Sequence, residues 1–123
     1  MRRISFLCLT FLVLGASACV QQVDPSADIP VVSFKSDIAP MMSANCASTG
    51  CHTGGGRLFS LQTYDEVIKN GDVQPGKPHS SALYNVVRKY TGESAMPPKP
   101  NERLTDEQIG LIYVWILQGA KDN

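Results

Sequence analysis

The segment Cys46-Ala-Ser-Thr-Gly-Cys51-His52 puts two thiols and an imidazole within seven residues, and no other stretch gathers soft and imidazole ligands so closely. Its surroundings make it a constraint on the fold. The segments that separate the apolar stretches of this 123-residue chain are rich in Gly and Pro, including Gly54-Gly55-Gly56 and Met96-Pro97-Pro98-Lys99-Pro100. A domain of about 90 residues buries too little surface to spare much of it on loops. Long loops in so small a domain imply function or an added staple. Whatever Cys46, Cys51 and His52 hold is therefore part of what holds the chain together.

Four helical stretches are predicted, and no convincing strand, so the fold class is all-α. The first runs from about Ser33 to Ala44, with Phe34, Ile38 and Met41 or Met42 at helical spacing and Pro40 early enough to be tolerated. The second runs from Tyr64 to Asn70, with Thr63 as N-cap and Gly71 as stop. The third, from Ser81 to Tyr90, puts Leu83, Val86, Val87 and Tyr90 on one side. The last opens on a Thr105–Gln108 capping box, repeats Ile109, Ile112, Tyr113, Ile116 and Leu117 at helical intervals, and ends at Gly119. Trp115 reads as a core anchor against the first helix, and Met41 and Met42 as core or helix-surface residues. The triple glycine does not match a phosphate loop and reads as a tight turn.

The N-terminus reads as an export signal. Met1-Arg2-Arg3 is a basic start, "ISFLCLTFLVLG" an apolar run, and "ASAC" a small-residue exit ending at Cys19. The run is too short to span a bilayer as a helix, which takes about 20 residues. Residues 1–18 are assigned to a signal peptide, 19–32 to a tether with two prolines, and 33–123 to the domain. The exit resembles a bacterial lipobox, with Ala16 where Leu is usual, which implies lipidation of Cys19. Ala16-Ser17-Ala18 also suits an ordinary signal peptidase. With lipidation the protein is held at the membrane without a transmembrane helix; in either case it is expected to be exported, to the periplasm or cell envelope. Taking Arg2 and Arg3 from the 11 basic residues leaves 9 against 11 acidic ones, which argues against nucleic acid as a partner.

With Cys8 in the signal and Cys19 at its exit, Cys46 and Cys51 are the pair left in the domain. A disulfide between them suits an exported protein, but leaves His52 unexplained and closes a very small loop. A zinc site needs a fourth ligand; His79 is the remaining histidine, and adjacent Cys51 and His52 are awkward for a tetrahedron. A covalently attached haem uses all three residues. Its usual attachment motif is Cys-x-x-Cys-His, and the spacer here has four residues, all small or turn-prone. The heptapeptide alone leaves these readings open.

Other blocks add to it. "FKSDIAPMMSANC" precedes the histidine, a Gly76-Lys77-Pro78 … Ser81-Ala82-Leu83-Tyr84 segment follows, then "AMPPKP" at 95–100 and a terminal "WILQGA". Together, over about Phe34 to Asp122, they resemble small bacterial class I c-type cytochrome domains, including those named after planctomycetes. The four-residue spacer departs from the commonest form of that family. The resemblance implies a cytochrome c-like small helical domain with long loops wrapped around one haem c. It further implies thioether bonds at Cys46 and Cys51, His52 as proximal iron ligand and Met96 as distal ligand. His/Met ligation raises the potential, and Pro97 and Pro98 stiffen the backbone after Met96. His79 is the alternative distal ligand, although a histidine between Pro78 and Ser80 at a helix entrance is more simply a solvated one. Arg57, Arg88 and Lys99 are candidates for pairing with the haem propionates, though a residue of this kind is more often merely a surface charge.

Ligation on both faces leaves no open iron position, so enzyme activity is not expected. The implied function is single-electron transfer with transient redox protein partners. Two alternatives share parts of the pattern: a dedicated electron-transfer subunit of a secreted or membrane-associated oxidoreductase, and a metal-binding structural lipoprotein without haem.

Overall fold

Three aromatic rings join the two ends of the domain. Phe34 lies 5.1 Å from Tyr64, edge to face, and 5.5 Å from Trp115, with Tyr64 and Trp115 6.5 Å apart. Such arrangements add to the area they bury. The computed structural model describes residues 29–89 and 91–123. It has a π turn at Phe34–Ile38 running into α1 (Ala39–Asn45), then α2 (Tyr64–Asn70), a 3₁₀ turn at Pro78–Ser80, α3 (Ala82–Val87) and α4 (Asp106–Leu117). Among the described residues there is no strand, and no helix is long and apolar enough to cross a membrane. The signal segment 1–18, Cys19 and residues 20–28 lie outside the described residues.

Local chemistry explains the helix ends. Ser33 opens the first helix: its Oγ accepts the Ser36 N–H at 3.1 Å, and its own N–H donates to Asp37 Oδ2 at 2.8 Å. Pro40 brings no N–H and crowds the carbonyl four residues back, and the turn before it is widened to π spacing, with Ile38 N–H on Ser33 O. Thr63–Glu66 and Thr105–Gln108 both form complete capping boxes. At the end of α4, Ala120 N–H reaches Trp115 O at 2.8 Å and Gly119 N–H reaches Ile116 O at 3.0 Å. Gly119, at φ +100°, makes this Schellman closure without steric cost.

The third helix is shorter than its pattern predicts. It stops at Val87, Arg88 closing it with an N–H to Tyr84 O, and a turn through Gly92 at φ +106° follows. Tyr90 lies outside the described residues. Ser81, fully buried before α3, does not cap it. Its hydroxyl accepts the Gln74 N–H at 2.9 Å and donates to Lys77 O at 3.0 Å, fixing the preceding loop instead.

The last residues assigned to the tether are bonded to the domain. Residues 29–32 are held against the end of α4, where Gln118 Nε2 donates to Pro30 O and its Oε1 accepts the Val32 N–H. Asn123 continues this clasp, its Oδ1 accepting the Phe34 N–H at 2.9 Å and its carbonyl the Lys35 N–H at 3.0 Å. The core between these ends is Ile38, Met42, Val67, Val87, Ile112, Trp115 and Ile116, all essentially inaccessible. Met41 and Met42 are thus core residues, and Trp115 packs on the first helix as expected.

Candidate haem-type cleft

The first helix ends where the heptapeptide begins. Cys46 is its C-cap, with its N–H on Met42 O at 2.8 Å. The four-residue spacer folds as a turn, Cys51 N–H reaching Ser48 O at 2.9 Å, with Gly50 at φ +83°. His52 N–H then returns to Cys46 O at 2.9 Å, which closes the heptapeptide on itself. The longer spacer is accommodated because Gly50 adopts a backbone that residues with a Cβ avoid. Both thiols are free: Cys46 is buried and Cys51 half-buried. Burial, with a smaller contribution from the neighbouring Cys51, pushes the Cys46 thiol up to about 11. A thiol kept neutral in this way is not a nucleophile at ordinary pH.

His52 is 9% exposed and fixed twice by Phe59. Its ring lies 4.5 Å from the Phe59 ring, and Nδ1 is 3.0 Å from the Phe59 carbonyl oxygen. A carbonyl only accepts, so Nδ1 carries the proton and Nε2 keeps its lone pair. Orientation of an imidazole through its second nitrogen is the usual support for a metal-bound histidine. The Phe59 segment is held in turn. Leu61 N–H bonds to His52 O at 3.0 Å, Ser60 Oγ to Glu66 Oε2 at 2.8 Å, and Asn70 Nδ2 to Ser60 O at 2.8 Å. The hydrogen bond from Ser60, then those from the backbone of Thr63 and Gln62, hold the Glu66 carboxyl below the ordinary carboxylate range.

Two adjoining cavities, of about 410 and 210 Å³, meet at Cys46, His52, Leu58 and Met96. The larger is also lined by Cys51, Pro97, Pro98, Asn101 and Glu102; the smaller by Leu61, Leu83, Val86 and Val87. A volume of this order is that of a cofactor site. The cleft therefore joins Cys46, Cys51 and His52 of the heptapeptide to Met96, which lies far along the sequence. Glu102 is the one charged side chain among its described lining residues. This donor set suits a haem: two free thiols, one imidazole, one thioether, and apolar walls for a large flat ring. It does not form a tetrahedral ion site. Among the described residues no three His, Cys, Asp or Glu side chains gather to hold a metal ion.

The other candidates lie elsewhere. His79 is exposed and packs edge-to-face against Tyr84 and Tyr113, 5.6 Å from each ring. Arg57 is exposed, Arg88 sits over the Tyr84 ring at 5.7 Å, and Lys99 borders a separate depression. None of these three lines the cleft, so the structure gives no support to them as propionate partners. Sequence reasoning missed the Phe59 carbonyl, since a backbone acceptor leaves no side-chain signature. It also passed over Leu58, Phe59, Asn101 and Glu102. The apolar pair Leu58-Phe59 inside a Gly-rich loop was the available signal. No family model matches the chain, and no curated protein or solved structure does.

Proposed function

We propose that the chain is an exported monohaem cytochrome of class I c type that passes single electrons between redox proteins. The observation that carries this reading is the convergence of Cys46, Cys51, His52 and Met96 on one largely apolar cleft. Cys46 and Cys51 would hold the haem by thioether bonds. His52 would offer Nε2 to the iron, because Phe59 engages its other nitrogen. Met96 would supply a soft, neutral sulfur as the other iron ligand, a ligation that raises the potential. When bound, the haem supplies a reversible one-electron change at its iron.

The protein's share of the work is to keep both ligands in place and water out. Leu61, Leu83, Val86 and Val87 provide an apolar wall. A low-dielectric surround resists a change of charge and so helps to set the potential. Ligation from both sides leaves no position for a substrate. Leu58 and Phe59, 45% and 51% exposed at the rim, offer a small apolar surface of the kind transient redox encounters use. The export signal and Cys19 anchor belong to the same reading, and would place the protein in the cell envelope.

The full chain expressed in a host with c-type haem machinery is expected to purify red, with the intense Soret band of a low-spin haem. A colourless protein from that host would exclude haem and leave the metal-binding lipoprotein reading.

A further inference from the structure

Met96 does not lie on a helix; the segment that carries it is fastened to the end of one. The last carbonyls of α3 have no partners within the helix. Tyr84 O is taken by the Arg88 N–H, Val86 O by the Met96 N–H at 3.1 Å, and Val87 O by Arg103 Nη2 at 2.9 Å. Residues 96–103 thus form a strap tied at both ends to adjacent carbonyls of one helix terminus. Midway, Asn101 turns back on Pro98 O through its backbone N–H and its Nδ2, at 3.0 and 3.1 Å. The strap's inner side, Met96, Pro97, Pro98, Asn101 and Glu102, lines the cleft, as do Leu83, Val86 and Val87 of α3. Arg103 itself lies outside the cleft, bordering a depression behind the strap with Pro97, Pro98 and Lys99.

We infer that Arg103 is a positioning residue for Met96. Its guanidinium locks the strap to the end of α3 and so holds the thioether sulfur at the distal side of the cleft. This rests on the haem reading above and adds to it a residue that touches neither iron nor macrocycle. A guanidinium is well matched to this place, because it is always charged and a cation at a helix C-terminus meets carbonyls left without partners. A charge-assisted hydrogen bond of this sort is among the stronger kinds.

The test uses the full haem-loaded protein with Arg103→Gln, Arg103→Lys and, as a control, Arg88→Gln at the same helix end. Imidazole affinity of the ferric protein and the weak far-red band of sulfur-ligated ferric haem are the readouts. Arg103→Gln is expected to bind imidazole about tenfold or more tightly, the scale of one charge-assisted hydrogen bond, with the far-red band diminished. Arg103→Lys should recover part of both, and Arg88→Gln should change neither. If Arg103→Gln loads no haem, Arg103→Lys decides: behaviour between that of Arg103→Gln and the parent supports the inference, and identity with the parent overturns it. A parent protein with the far-red band and an Arg103→Gln protein unchanged in both readouts would overturn the inference alone. A parent with haem but no sulfur ligation would instead overturn the Met96 assignment on which it rests.

Discussion

Met96→Ala is expected to keep the haem and the fold but open the iron to exogenous ligands. Met96 is half-buried, lines both cavities, and is anchored by a backbone bond to Val86 that alanine preserves. The substitution removes the one thioether among the described lining residues. Loss of the soft ligand should lower the potential on the order of 0.1 V, a modest part of the ~0.8 V over which axial ligands tune haem. Imidazole should bind far more tightly than it does to the parent, carbon monoxide should bind readily, and the far-red sulfur band should vanish. His79→Ala should do none of this, since its ring packs edge-to-face against Tyr84 and Tyr113 and does not line the cleft. A collapse of the low-spin spectrum in His79→Ala, with Met96→Ala unaffected, would make the iron bis-histidine.

The second and last helices were legible because each carries its own punctuation. Thr63 and Thr105 stand three residues before a Glu or Gln, and both capping boxes form. Gly119 follows the last apolar repeat and takes the left-handed turn that ends α4. The third helix was overextended because Tyr90 continues its apolar spacing, and spacing says nothing of where the carbonyls at a helix end find donors. Here the chain supplies them from Met96 and Arg103, far along the sequence. The C-terminal clasp was hidden for the same reason: Gln118 and Asn123 act through amide bonds to backbone at the opposite end of the domain.

Of the cleft, the side chains that carry ligand chemistry could be read, and the groups that aim them could not. Cys46, Cys51, His52 and Met96 announce themselves by residue type. The Phe59 carbonyl that fixes His52 is a backbone atom every residue possesses. Charge alone does not say which surface it lies on; Arg57, Arg88 and Lys99 all stand away from the lining, in keeping with the plainer surface-charge reading.

The second large effect is expected from Cys46→Ala combined with Cys51→Ala. Without thioether bonds the haem is not retained through purification, and the cleft must be satisfied by the chain alone. Two adjoining cavities of about 410 and 210 Å³ lie between the Cys46–Leu61 loop, α3 and the strap. Without haem, the apolar walls of this open cleft face water at a cost of roughly 25 cal/mol per Å², a large penalty beside the ~5–15 kcal/mol by which a domain is stable. The double variant should therefore lose about half or more of its far-UV helical signal and melt without a cooperative transition. A colourless variant with the parent's helical content and a sharp melt would show that the core is complete without haem.

The most direct test is the mass of the intact parent protein after denaturation and acid–acetone extraction. Attachment through Cys46 and Cys51 requires the extracted polypeptide to remain red and to carry the added mass of one haem, located by fragmentation on the peptide containing both cysteines. A polypeptide of unmodified mass, with the colour in the acetone or no colour at all, would contradict covalent haem in this chain.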